Sequence, residues 1–257
     1  AAHENFIVHL QDTCFVSIDS FLERRGDLRD HGVRAVAACL LQKQLDCVRN
    51  PIPSHYWAKT FFRKHIHHLD RSRVSDALSI CKTQIVTFNY DVCIELAFAR
   101  SLMADFGFGV NEAVDIVLRW PIHHVYGRLE CFDRIRSLLL NRESDPSFSA
   151  TSLNATAKSM LLAHDDNSRI NEKLTESLQL ASINSQRVAF LGFGFDPRNI
   201  ERFGITSKNR GWTDTQRRIY STGVSLDEKR RRDVTGLLSR PCDFFPEQGD
   251  EACAMAI

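Results

Sequence analysis

Arg187-Val188-Ala189-Phe190-Leu191 runs straight into Gly192-Phe193-Gly194-Phe195-Asp196-Pro197, and this stretch decides the fold. A short apolar run feeding a Gly-rich polar turn reads as a strand that ends in a loop. Upstream, Gln84-Ile85-Val86-Thr87-Phe88 repeats the pattern and ends in Asn89-Tyr90-Asp91. Its β-branched and aromatic content predicts a buried strand. Residues 113–119 and 122–126 are expected as further strands, divided by Pro121. Helices are expected over 72–81, from Val92 to about Ala104, over 169–182 and from 199 to 203. Strands alternating with helices imply a parallel sheet with helices on both faces, a Rossmann-like α/β architecture.

The N-terminal third reads as a helical insertion. Val33, Val36, Ala37, Leu40, Leu41 and Val48 recur at helical spacing, so 13–48 is expected to be helical. Asn50-Pro51-Ile52-Pro53 ends that helix, because proline lacks a donor and restricts its predecessor. A further helix over 56–69 turns Trp57, Phe61, Phe62 and Ile66 inward. Residues 142–157, rich in Ser, Asn, Asp and Thr, are expected as a loop, and the tail after 206 carries no clear pattern. The organisation expected is one domain over 1–257. Its helical region covers about 13–81, its site segments 84–204, and a basic extension 205–257.

Composition sets the outer bounds. The 257 residues are 43% hydrophobic and 25% charged, ordinary values for a globular protein. Lys plus Arg is 33 against 32 for Asp plus Glu, a net charge of +1, which excludes a strongly basic nucleic-acid protein. No apolar run reaches the about 20 residues that cross a bilayer. The opening residues carry no secretion-signal pattern, so the expected location is the cytoplasm, with no membrane contact. The eight cysteines form no Cys-x-x-Cys pair, which argues against a structural zinc module and for free thiols in a reducing compartment.

Three polar clusters sit at strand ends, where ligands bind open α/β sheets. They are Thr87-Phe88-Asn89-Tyr90-Asp91, His123-His124-Val125-Tyr126-Gly127, and Gly192-Phe193-Gly194-Phe195-Asp196-Pro197-Arg198-Asn199. Taken singly, each reads equally well as a turn with a helix cap. Their order, spacing and shared location point to one site.

Together the clusters resemble the sirtuin family, and more closely its bacterial sirtuin-like NAD hydrolase branch, associated with anti-phage defence. Thr87, Asn89 and Asp91 match the family's Thr-Gln-Asn-Ile-Asp. His124-Val125-Tyr126-Gly127-Arg128-Leu129 matches the segment with the catalytic histidine. Phe190-Leu191-Gly192-Phe193-Gly194-Phe195 with Asn199 matches the glycine turn, and Ile18-Asp19-Ser20-Phe21-Leu22-Glu23 also resembles that branch. The resemblance covers roughly residues 15 to 225.

It implies a hydrolase that cleaves NAD to nicotinamide and ADP-ribose, with Asn89 and His124 catalytic. Thr87, Asp91, Tyr126, Gly127, Gly192, Phe193, Gly194 and Asn199 would bind NAD, which is substrate, and no metal is expected. It further implies abortive infection, with a homo-oligomer or a partner such as a hexameric translocating ATPase or an Argonaute. There are two departures. The cysteine module of the deacetylating members is absent, since no cysteine lies between Cys131 and Cys242, which favours NAD cleavage over deacetylation. The family's opening strand and Gly-Ala-Gly-x-Ser loop is also absent, so the polypeptide is expected to continue upstream of Ala1. Without that loop the alternative is a non-catalytic module that binds NAD, ADP-ribose or a partner.

The chemistry can be stated on its own terms. Cleaving the bond between nicotinamide and ribose passes through an oxocarbenium-like centre, as in glycoside hydrolysis. An amide such as Asn89 holds a water without ionising. Histidine accepts a proton near neutral pH, so His124 is expected as base or as ribose-orienting group. Asp91 accepts from ribose or carboxamide donors, and Gly192 and Gly194 let backbone approach the adenosine ribose. His123 and His124 face opposite sides if they lie in a strand. His124 is chosen as the site residue for its His-x-x-Gly spelling, and both it and Asn89 are expected to face a cleft. His65-Ile66-His67-His68 reads as a solvated helix end. The run around Arg230-Arg231-Arg232 reads as a solvated face, with nucleic-acid contact left open.

Overall fold

A computed structural model of the chain describes residues 2–12, 18–53, 56–80, 82–129, 136–137, 139–140, 150–160, 172–205, 209–213, 216–223 and 226–245. In chain order the described residues give α1 (Ala2–Gln11), α2 (Ile18–Arg24), a short 3-10 turn (Gly26–Leu28), α3 (Arg29–Arg49), α4 (Trp57–Ile66) and α5 (Arg71–Ile80). Next come β1 (Ile85–Thr87), α6 (Cys93–Phe106), α7 (Val110–Leu118), β2 (Ile122–His124) and α8 (Ala150–Ser159). The chain continues with α9 (Glu172–Asn184), β3 (Arg187–Phe190), α10 (Pro197–Arg202), α11 (Arg210–Thr213), β4 (Arg218–Thr222), α12 (Glu228–Leu238) and β5 (Asp243–Phe245). No helix of the described residues is long and apolar enough to cross a membrane.

The chain divides into two compact units, one of residues 1–52 and 75–170, the other of 53–74 and 171–257. In the first unit β1 pairs in parallel with β2, Ile85 opposite Ile122 and Thr87 opposite His124. Parallel neighbours need a crossover, and α6 with α7 supplies it. The helical core gathers Phe6, Phe21, Leu22, Leu28, Val33, Ala37 and Leu41 with Leu129 and Met160. On α3 the buried residues Val33, Ala37, Leu41, Leu45 and Val48 form one stripe at spacings of three and four. The helix ends at Arg49 with Asn50 as its cap, as Pro51 dictates. Arg100 then occupies the open carbonyls of that helix end, donating to Cys47 O at 3.0 Å, to Asn50 O at 2.9 Å and to Val48 O.

In the second unit β3, β4 and β5 form a three-stranded parallel sheet in sequence order. Its core holds Phe195, Ile200, Ile205, Trp212, Ile219, Val234 and Leu238. Asp196 caps α10 by accepting from Arg198 N at 2.9 Å, and Asp227 caps α12 from Arg230 N at 2.7 Å.

The chain is therefore mixed α/β with parallel pairing, in two small sheets of two and three strands among the described residues. Several expectations change. Residues 113–119 are not a strand, since 113–118 belong to α7 and Arg119 caps it. Its β-branched residues suggest a strand, but Ala113, Val114, Ile116 and Val117 are buried at helical spacing. Gly107, left-handed at φ 67°, ends α6 just before it. Residues 150–157 are helical rather than loop. Leu153 and Ala157, four apart, pack on the core, and Thr156 Oγ1 donates to Leu129 O at 3.2 Å. Residues 142–149 lie outside the described residues, as do 13–17. The long N-terminal helix is broken at Arg25, whose backbone precedes the 3-10 turn. Among the described residues the tail after 206 holds two strands and two helices, which its polar composition hides.

The basic segment is not a uniformly solvated face. Arg217 lies 4.4 Å from the Trp212 ring centroid and donates to Ile183 O and Gly211 O at 3.0 and 2.9 Å, and to Ser182 O. Arg240 donates to Trp212 O at 3.0 Å and to Thr213 O. These guanidinium groups close backbone ends, while Lys229, Arg230 and Arg232 are exposed.

Candidate functional site

The first unit gathers Thr87, Asn89, Asp91, His124, Tyr126 and Gly127 at the carboxyl ends of β1 and β2. Thr87 is buried where β1 stops, and its Oγ1 accepts from Asn89 N at 3.1 Å, which turns the chain sharply. Thr87 O accepts from Val125 N at 3.0 Å, continuing the pairing one residue past β2. Tyr90 O accepts from Leu129 N at 2.9 Å. The two loops are thus fastened to each other by backbone.

Asp91 Oδ1 accepts from Cys93 N at 3.1 Å and so starts α6. Gln44 of α3, itself buried, accepts from Val92 N at 3.0 Å. Burial pushes the Cys93 thiol up, aided by the Asp91 carboxylate and the Cys47 thiol beside it. Tyr126 is buried with its ring 5.7 Å from Phe88 and 6.3 Å from Tyr90. Gly127 takes φ 91°, a left-handed conformation that admits glycine without strain.

His124 does not open onto a cleft as expected. Its side chain is 3% exposed, and both ring nitrogens are engaged. Nδ1 donates to Asn89 O at 3.0 Å, and Nε2 lies 2.8 Å from Glu95 Oε1. A carbonyl only accepts, so Nδ1 carries a hydrogen, an assignment made from its partner. Asn89 by contrast is exposed. Sequence reasoning missed Glu95. The signal was there: one acid inside the buried apolar run Ile94-Glu95-Leu96-Ala97-Phe98-Ala99.

His123 is half-buried, and desolvation, with a smaller repulsion from His124, lowers its pKa below the ordinary 6.5. A folded histidine pKa below the unfolded value means that the unfolded state binds more protons. Stability is then full above 6.5 and is lost as pH falls through the lowered value. Thermal melting should show a drop in midpoint between pH 7 and acid pH that is shallower in His123→Gln. An unchanged slope in that variant would remove His123 as the cause.

The second unit gathers Gly192, Phe193, Gly194 and Asn199 around the end of β3. Gly192 has φ 58° and donates its N–H to Thr222 Oγ1 of β4 at 2.9 Å. Phe190, Phe193 and Phe195 form a ring cluster with centroids 5.1–5.4 Å apart. Phe195 is left-handed at φ 52°, a strained setting for an aromatic residue. Around Gly194, among the described residues and beyond its chain neighbours, no atom lies within 4 Å of where a Cβ would stand. Arg230 Nη2 reaches Gly194 O at 3.5 Å. Thr222 is a further residue that the sequence did not single out, and Arg230 reads there only as part of a solvated face. His65, whose Nδ1 donates to Phe61 O at 2.9 Å, packs its ring on Phe61. It is half-buried, unlike the exposed His67 and His68.

Comparison of the chain with family models, with curated proteins and with solved structures gives no match. The chemistry is accordingly read from the site's own residues. Among the described residues no group of three or more His, Cys, Asp or Glu is arranged to hold a metal.

Proposed function

We propose that the chain is a sirtuin-like NAD glycohydrolase on a Rossmann-like scaffold, acting in the cytoplasm as an effector of bacterial defence. The observation that carries this is the bond of His124 Nδ1 to Asn89 O, 3.0 Å long, at the ends of two adjacent parallel strands. It ties two of the three clusters into one constellation, with the Asn89 side chain exposed above a buried support.

The reaction asks little of acid catalysis. Nicotinamide leaves a pyridinium as a neutral molecule, so the departing nitrogen needs no proton. Positive charge builds on the ribose as the bond breaks. The exposed amide of Asn89 orients the water that closes on that centre, the C1′–O bond forms as the C1′–N bond breaks, and the proton that water loses passes to solvent. The Asp91 carboxylate accepts from a ribose hydroxyl. Thr87 holds the Asn89 turn, while Tyr126 and Gly127 shape the facing loop. Gly192, Phe193, Gly194 and Asn199 lie in the second unit, around the end of β3. A homo-oligomer or a partner of the ATPase or Argonaute kind is assigned to activation.

One observation favours the rival reading, a module that binds NAD or ADP-ribose without turnover: His124 has no free nitrogen to serve as base. The two readings separate on nicotinamide release by the complete protein with its activating partner. Release that depends on Asn89 supports the hydrolase. Binding of ADP-ribose with no release under any partner or trigger supports the module.

A further inference from the structure

The geometry points to Glu95 as the positioning residue of this site, acting through His124 on the Asn89 turn. Its kinetic test rests on the hydrolase reading; its spectroscopic test rests on the hydrogen bonds alone. Glu95 is 2% exposed near the start of α6, with Ile94, Leu96, Ala97 and Phe98 buried beside it. Oε1 meets His124 Nε2 at 2.8 Å, whereas Oε2 is buried with no hydrogen-bond partner. Such a carboxylate is a poor stabiliser, because a well-packed apolar side chain avoids both the desolvation and the orphaned oxygen. Its fit is to the ring instead.

The ring has two faces to satisfy. Nδ1–H must point at Asn89 O, and a half-turn about the ring axis would replace that donor with carbon. Glu95 fixes the opposite edge and so selects the orientation that holds Asn89 O. The chain of contacts runs from Glu95 through His124 to the Asn89 backbone, and from Asn89 N to Thr87 Oγ1 at 3.1 Å. Every link is inside the protein, and the exposed product of it is the direction of the Asn89 amide. His124 on this account holds the turn and takes no proton from the attacking water.

The test compares E95A, E95Q and E95D in the full chain. The readouts are ¹H–¹⁵N spectra of the His124 ring and steady-state NAD kinetics with the partner present. The glutamine amide reaches Nε2 without charge, and aspartate keeps the charge but is one methylene short. E95A should lose the protected Nδ1–H signal and lower kcat by about 10–100-fold, the scale for supporting hydrogen bonds. The KM for NAD should barely move, because Glu95 does not touch substrate. E95Q should restore most of both losses, and E95D should not. The reverse order, aspartate rescuing and glutamine failing, overturns positioning in favour of charge. An unchanged His124 spectrum in E95A also overturns it. Should E95A not fold, the glutamine–aspartate contrast decides. Should the wild type release no nicotinamide, the hydrolase reading fails alone and the ring spectra still decide the role of Glu95.

Discussion

Replacing His124 with alanine is expected to destabilise the protein by about 3–5 kcal/mol, the usual cost of removing one partner from a buried charge-bearing pair. The His124 and Glu95 side chains are each 3% exposed. Alanine leaves the Glu95 carboxylate without its His124 partner, and Asn89 O without its side-chain donor. Denaturant unfolding followed by circular dichroism reads the loss. A double replacement, Glu95→Leu with His124→Leu, should recover much of the stability, because it removes both polar groups together. It should not recover nicotinamide release, since the turn loses its strut. An unfolding midpoint unchanged in His124→Ala would show that the pair contributes nothing to the folded state.

Asn89→Ala is expected to do the opposite. Its side chain is exposed, and the bonds that hold the turn use its backbone N–H and C=O. Stability should therefore stay within about 0.5 kcal/mol of wild type, as for surface substitutions generally. Nicotinamide release should fall by about 10²-fold or more, the scale on which positioned groups contribute. His123→Ala is the internal comparison and should cost much less, because neighbouring residues in a strand face opposite ways. Equal losses from His123→Ala and Asn89→Ala would shift the site to the other face of β2.

The contrast between these two variants marks what the sequence can and cannot show. The strand ends were legible. Ile85–Thr87 and Arg187–Phe190 stand out because apolar runs end abruptly in Asn, Asp or Gly, and local composition fixes such boundaries. The end of α3 was legible through Pro51 for the same reason. α7 was not, because its β-branched residues favour a strand locally while burial of one face decides for a helix. α8 was hidden by its Ser, Thr and Asn, and its helicity comes from packing Leu153 and Ala157 on a core built mostly of distant residues. Thr87, Asn89, Asp91 and His124 could be picked from spelling, and the structure brings them together. Their surroundings could not. Whether His124 faces solvent or a carboxylate depends on Glu95, 29 residues away across the crossover. A motif names side chains, and only the three-dimensional arrangement tells which of them has a free hydrogen-bonding group.

That distinction also shapes the mechanism. A histidine at the end of a strand invites the role of general base. Here its donor and its remaining nitrogen are both spent on protein groups. In the proposed reaction the burden falls on an uncharged amide, which suits a leaving group that departs neutral and a centre that attracts water by its own charge.

The proposed reaction is cleavage of NAD at this site. Its most direct measurement is chromatographic separation of nicotinamide and ADP-ribose after incubation of NAD with the complete protein and its activating partner, wild type beside Asn89→Ala. The expected result is equimolar appearance of the two products with wild type, and a loss of about 10²-fold or more with the variant at unchanged folding. Intact NAD in the wild-type reaction, or equal product from both proteins, would contradict it.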